Sequence, residues 1–304
     1  MSEDAAGNAH GIAAGIHAYV VTPVSKEGVL LRASHEAIVE RVIAGGCAGV
    51  TVLGATGELP YVSRQLRTDL ITETVRIVDK RSTVIAGVGG FTSSEIVRQA
   101  REAEDLGADG VLVIVQGFLP MAHVDKVALF TELSESIALP MTVYVNPPLC
   151  NVEFAVETLM EIADLPTVVG IKDATGNLDS FELSAEFAEK NVRLFAASAS
   201  PLTAAFLLGA SGWMSGTATL FPAVCQQFYE ACQRGDWAEA SSIERRLSKA
   251  LGVFRSTGPA VVKALLNAKG IAAGDPLGPN IPIPQSRATE LLRGINQVIN
   301  DERS

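Results

Sequence analysis

Positive charge is in short supply in this chain of 304 residues. Lys and Arg number 24 against 34 Asp and Glu, which leaves a formal net charge of −10 with no cluster of Lys or Arg to offset it. That balance disfavours nucleic acid or an anionic membrane surface as a partner, since both repel an acidic protein. Cysteine is sparse as well. Cys47, Cys150, Cys225 and Cys232 form no CxxC pair and have no histidine at metal-ligand spacing, which argues against a disulfide framework or a zinc site. They read as small core residues or free thiols. A long apolar run is also missing: from Leu194 to Tyr229 there is no Asp, Glu, Lys or Arg, yet Pro201, Gly209, Gly212, Gly216 and Pro222 break the stretch up. The pieces fall well short of the roughly 20 residues that span a bilayer. No GxGxxG opens the chain to suggest a dinucleotide. The acidic start, Met1 to Asn8, lacks the basic region and apolar stretch of a secretory signal, so a cytoplasmic protein is expected.

What is present is ordinary material for a soluble globular protein. With 48% hydrophobic and 19% charged residues the chain can bury a large core, and a small molecule is the default partner. Short β-branched runs alternate with amphipathic stretches, each junction marked by Gly, Pro, Asn, Asp or Ser. Eight such strands are expected: Ala18 to Val21, Gly49 to Leu53, Thr83 to Ala86, Val111 to Val115, Met141 to Val145, Val168 to Ile171, Leu194 to Ala197 and Gly212 to Met214. Helices are expected to begin near Ser34, Ser63, Ser94, His123, Val156, Asp179, Pro201 and Phe221, with Ser34, Ser63 and Ser94 as N-caps. Gly87-Val88-Gly89-Gly90 reads as a turn after the third strand. Three further helices, roughly Trp237 to Phe254, Gly258 to Lys269 and Ser286 to Asn300, have no strand between them. The expected fold is therefore an α/β (β/α)8 TIM barrel over 16–235, with a flexible N-terminal segment 1–15 and a C-terminal helical appendage over 236–304.

In such barrels the active site lies at the carboxyl ends of the strands, so residues that close a strand are the first candidates. Lys172 closes the sixth strand in Val168-Val169-Gly170-Ile171-Lys172. A desolvated lysine loses its proton more readily and becomes a nucleophile toward carbonyls; the plain alternative is a strand-end lysine that snorkels to solvent. Strand alternation sends Lys172 and Gly170 inward together, and Tyr144 and Thr142 likewise, so that Lys172 and Tyr144 face one cavity. Tyr144 can relay protons there, or be a core aromatic with a satisfied hydroxyl. Gly54, Ala55 and Thr56 leave the second strand through a glycine-flanked turn whose backbone NH groups, with the Thr56 hydroxyl, suit a carboxylate; such turns also serve only tight backbone geometry.

Three segments carry a family resemblance. Gly54-Ala55-Thr56-Gly57-Glu58 resembles the GTTGE segment, Tyr144 to Pro147 the YNxP segment, and Gly170 to Asn177 the GIKEATGN segment of the dihydrodipicolinate synthase and N-acetylneuraminate lyase family, with Tyr144 and Lys172 28 positions apart. The likeness runs from about Ile16 through the helical tail. It implies a class I, metal-independent lyase or aldolase without a cofactor: Lys172 forms an imine with pyruvate or a related 2-oxo acid, Tyr144 moves protons, and Gly54, Ala55 and Thr56 hold the carboxylate. An aldehyde is the second partner, and a homotetramer or dimer is implied.

The departures bear on specificity. Ala55 replaces a second threonine of that loop, Phe118 stands where synthases carry a relay tyrosine, and Leu149 stands where they carry an arginine for a second carboxylate. Asn146 is displaced by one residue from the family's usual place. Ser198, Met214 and Ser215, with Thr217, are candidate specificity residues on the last two strands, although loop-end serines are commonly only surface groups. The expected activity is cleavage or formation of a 2-keto-3-deoxy acid; the alternatives are a synthase condensing pyruvate with aspartate semialdehyde, and a catalytically silent 2-oxo acid binder. His10, His17, His35 and His123 receive no role.

Overall fold

The structure, a computed structural model, describes residues 11–198 and 200–299. The expected segment 1–15 therefore lies largely outside the described residues, together with His10 and the last residues of the expected C-terminal helix. Eight strands, β1 (Gly15–Tyr19), β2 (Gly49–Val52), β3 (Thr83–Gly90), β4 (Gly110–Val115), β5 (Met141–Val145), β6 (Val168–Asp173), β7 (Arg193–Ala196) and β8 (Gly212–Ser215), close into one barrel in chain order. Every neighbouring pair is parallel, and β1 closes on β8. Each strand is near-continuously buried because helices cover the outside and side chains fill the inside.

Register fixes which residues face in. Tyr19 pairs with Thr51, Tyr144 with Lys172 and Lys172 with Phe195, so these side chains share the barrel interior. Below Lys172 the cylinder is filled. The His17 and Phe195 rings meet edge to face at 5.4 Å, and a Cβ on Gly49 would sit 2.0 Å from His17 Nδ1. Large rings on two strands are thus accommodated by a glycine on a third.

Three expectations about the strands need correction. Gly87 to Gly90 is not a turn but the second half of β3. A Cβ on Gly87 would lie 2.0 Å from the Leu53 carbonyl oxygen, so the glycine is there to let the backbones touch, not to bend the chain. β1 begins and ends earlier than expected and stops at Tyr19. Lys172 lies one residue inside the end of β6, because Asp173 continues the pairing with β5 and β7. Asp173 is buried and accepts from the Thr175 backbone NH, the Thr175 hydroxyl and the Ser180 hydroxyl, which satisfies its carboxylate.

The caps were legible at one position in three. Ser63 caps the helix Arg64–Val78 through Leu66 NH, whereas Thr92, not Ser94, caps Ser93–Asp105 through Glu95 NH. Ser34 lies inside the helix Arg32–Ala44. The stretch expected to start at Asp179 forms two short pieces, Phe181–Leu183 and Ser184–Glu189. The C-terminal helices are Trp237–Thr257, Pro259–Ala268 and Gln285–Ile299. Val261, Leu265 and Ile295 join the same continuous core as the barrel's own helices. Ala260 to Leu266 is wholly buried, so the middle helix is an internal element and not an outlying one.

Candidate active site

A cavity of about 590 Å³ opens at the carboxyl ends of the strands, with Lys172, Tyr144, Ala55, Thr56, Leu149, Ser198, Met214, Ser215 and Thr217 in its lining. Lys172 is 5% exposed. Its Nζ lies 4.3 Å from the centre of the Tyr144 ring and 3.8 Å from that of Tyr19. Burial disfavours the ammonium and pulls its pKa from the usual 10.5 down to about 7, while nearby Cys150 pushes slightly the other way. A lysine in that state carries a useful fraction of free amine near neutrality. Snorkelling to solvent is excluded by the geometry.

Tyr144 is held from one side. Asn146 Nδ2 donates to its phenolic oxygen at 2.5 Å, and Asn146 Oδ1 accepts from Leu149 NH at 3.3 Å at the start of the short helix Pro147–Cys150. The amide thus occupies a lone pair of the phenol and leaves the hydroxyl proton free to point elsewhere. Burial raises the Tyr144 pKa, with the Asn146 bond opposing, so the group stays a protonated donor at neutral pH. Cys150, pushed up to about 11 by burial, stays a thiol.

The turn after β2 spends its carbonyls on closing itself: Gly54 O accepts from Leu59 NH and Ala55 O from Glu58 NH. Leu53 and Glu58 both adopt left-handed backbone, φ 60° each, which curls the chain so that Ala55 and Thr56 reach the cavity. Gly54 lies behind that lining against Tyr19, where a Cβ would come within 2.7 Å of the ring. Glu58 then turns inward and pairs with Lys263 of the helix Pro259–Ala268 at 2.6 Å. Glu58 Oε1 also accepts from Leu277 NH at 2.7 Å, and Lys263 Nζ donates to Asp275 O at 2.9 Å. Burial raises Glu58 and lowers Lys263, each opposed by its partner. Sequence reading named Glu58 only as part of a motif and missed this tether.

On the far wall Ser198 and Ser215 share a hydrogen bond of 2.7 Å, and Ser215 Oγ accepts from Thr217 NH at 3.0 Å. Met214 accepts from the Tyr19 hydroxyl at 3.4 Å. Trp213 points the opposite way into the helix layer, edge-on to Phe228. Leu149 lines the mouth at 53% exposure, whereas Phe118 is 86% exposed and lies outside the lining of this cavity. The loop after β4 turns Phe118 outward because Gly117 is tied to the next loop, its NH donating to Cys150 O and its carbonyl accepting from Asn151. Gln116, Tyr61, Pro259, Val262 and Asn280 also line the cavity and were not anticipated. Tyr19 was missed through the misplaced end of β1: as the last residue of that strand it holds the rank that singled out Lys172.

Comparison with known proteins accords with this geometry. The sequence model described as the Dihydrodipicolinate synthetase family matches residues 13–298. A 4-hydroxy-tetrahydrodipicolinate synthase of Ralstonia nicotianae is 32% identical over 256 residues, covering 84% of this chain and 87% of that protein. One of Acidiphilium cryptum is 33% identical over 230 residues, covering 75% and 78%. Among solved structures, a putative dihydrodipicolinate synthetase from Pseudomonas aeruginosa superposes with a TM-score of 0.89 at 27% identity, covering 94% of this chain and 99% of that one. A chloride-inhibited dihydrodipicolinate synthase from Acinetobacter baumannii, complexed with pyruvate, gives 0.88 at 26%, covering 95% and 99%.

Proposed function

Because the chain belongs to the dihydrodipicolinate synthetase family, we propose that it is a class I aldolase or lyase that forms an imine between Lys172 and pyruvate or a related 2-oxo acid. The observation that carries this reading is the dry Lys172 amine, its pKa brought to about 7, facing Tyr144 in the cavity that Ala55 and Thr56 line. The substrate carboxylate sits against the Ala55 and Thr56 NH groups and the Thr56 hydroxyl. The amine adds to the 2-oxo carbon, Tyr144 supplies a proton to the departing oxygen, and water leaves. The iminium then takes up the electron pair released when the C3–C4 bond breaks or a C3 proton is removed. No metal or separate cofactor takes part in this scheme.

Among the described residues Lys172 is the one Lys or Arg side chain in the cavity lining, and Leu149 stands apolar at the mouth. A second substrate carboxylate would have no charge-assisted partner there, which would forfeit orders of magnitude in affinity. We therefore favour a neutral aldehyde and a 2-keto-3-deoxy acid as the condensed form, with Ser198, Ser215 and Thr217 meeting its hydroxyls. The names of the relatives support the second reading, condensation of pyruvate with aspartate semialdehyde. Among the described residues no helix is long and apolar enough to cross a membrane. All four thiols are free and buried, which suits a reducing cytoplasm, and the family likeness supports assembly into dimers or tetramers.

Two experiments test this. Pyruvate with borohydride should add one reduced pyruvyl group to Lys172, read by peptide mass spectrometry; an unlabelled Lys172 removes the mechanism. Parallel turnover assays with 2-keto-3-deoxy acids and with pyruvate plus aspartate semialdehyde separate the two substrate readings.

A further inference from the structure

Lys172 faces a second aromatic ring that the scheme above does not use. Tyr19 ends β1, is 2% exposed, and has its ring centre 3.8 Å from Lys172 Nζ, nearer than that of Tyr144. The residue is held at three points, two on the ring and one on its backbone. Its hydroxyl donates to Met214 Sδ at 3.4 Å, its carbonyl accepts from Thr219 Oγ1 at 2.8 Å, and its edge fills the space a Gly54 side chain would need. Burial holds the phenol well above its usual pKa, so it is a neutral ring and not a phenolate counter-ion.

We propose that Tyr19 is a catalytic residue whose ring face stabilises positive charge on the Lys172 nitrogen during imine formation. The proposal rests on the Schiff-base reading. When the neutral amine adds to the 2-oxo carbon, the carbonyl oxygen leaves as water with one proton from the amine and one from the general acid. The nitrogen is left as a protonated iminium. A buried site penalises that charge just as it penalises the ammonium, and the electron-rich ring face offsets part of the penalty. Once the electrons of the C3–H or C3–C4 bond flow to nitrogen the charge disappears, and so does the contribution of the ring. Tyr19 therefore acts on imine formation and on the Lys172 proton, with little influence on the aldehyde.

The test compares Tyr19→Leu, which removes the face, with Tyr19→Phe, which keeps it. Pyruvate is titrated against each folded enzyme and the Lys172 imine is trapped with borohydride across a range of pH. For Tyr19→Leu the apparent affinity should fall roughly three- to thirty-fold, the span of cation–π contacts from exposed to desolvated, and the acid limb of trapping should move to lower pH. Tyr19→Phe should restore most of both. Unchanged affinity and pH limb in Tyr19→Leu would overturn the proposal, as would a Phe variant that behaves like Leu, since the hydroxyl and not the face would then matter. If Tyr19→Leu does not fold, phenylalanines bearing successively more fluorine at position 19 preserve the shape while draining the ring face. Affinity should then drop step by step, and a flat series refutes the idea. Absence of any adduct in the unaltered enzyme would sink the Schiff-base reading itself, an outcome distinct from variants that trap pyruvate as well as it does.

Discussion

A lysine held dry and half-neutral is a burden on the fold that carries it. Below about pH 7 the Lys172 amine is protonated in both folded and unfolded chains, and the folded state bears the whole cost of burying the charge. Between about 7 and the ordinary 10.5 the unfolded chain holds a proton that the folded one lacks, so this contribution becomes less unfavourable as pH rises. Lys172→Met is accordingly expected to stabilise the protein by a few kcal/mol at about pH 6, with the gain shrinking toward alkaline pH, while abolishing imine formation. Denaturant unfolding at the two pH extremes checks the sign; a destabilised variant would contradict it. Tyr144→Phe is expected to slow turnover by about two to four orders of magnitude with the fold intact, as loss of a general acid does. Steady-state kinetics beside a melting curve separates that effect from misfolding.

At the scale of elements, the Glu58–Lys263 pair binds the turn after β2 to the helix Pro259–Ala268, both side chains being almost wholly buried. Removing one partner strands the other's charge, so Lys263→Met is expected to cost about 3–5 kcal/mol and to raise the KM for pyruvate as the turn loosens. Combining it with Glu58→Gln should recover part of the stability, measurable as a double-mutant cycle. This tether also shows where sequence reading stops. The eight strands, their order and the inward rank of Lys172 and Tyr144 were visible because period-2 alternation and turn residues are local signals. Lys263 and Asn280 were not, since what matters about them is a neighbour more than a hundred residues away, and Tyr19 was lost with the misplaced end of β1. Gly87 misled for the same reason: a glycine that admits another backbone looks, in one dimension, like a glycine that turns the chain.

For the molecule as a whole, His17 and His35 are buried and pushed down to about 4 by desolvation. As pH falls from about 6.5 to 4 the unfolded chain takes up protons that these rings refuse, so stability is expected to decline through that window. Urea midpoints measured against pH should trace the fall, and His35→Gln should flatten it. If the slope is unaltered, other groups govern acid sensitivity. His17 has a wider meaning through its place beneath the nucleophile. With its ring against Phe195 and Gly49 the cylinder is packed shut beneath Lys172, and among the described residues the cavity opens at the carboxyl ends of the strands, leaving a blind end below. The keto acid anchored at the blind end must be the first guest to arrive and the last to depart, so inhibition by each product should reveal a compulsory queue.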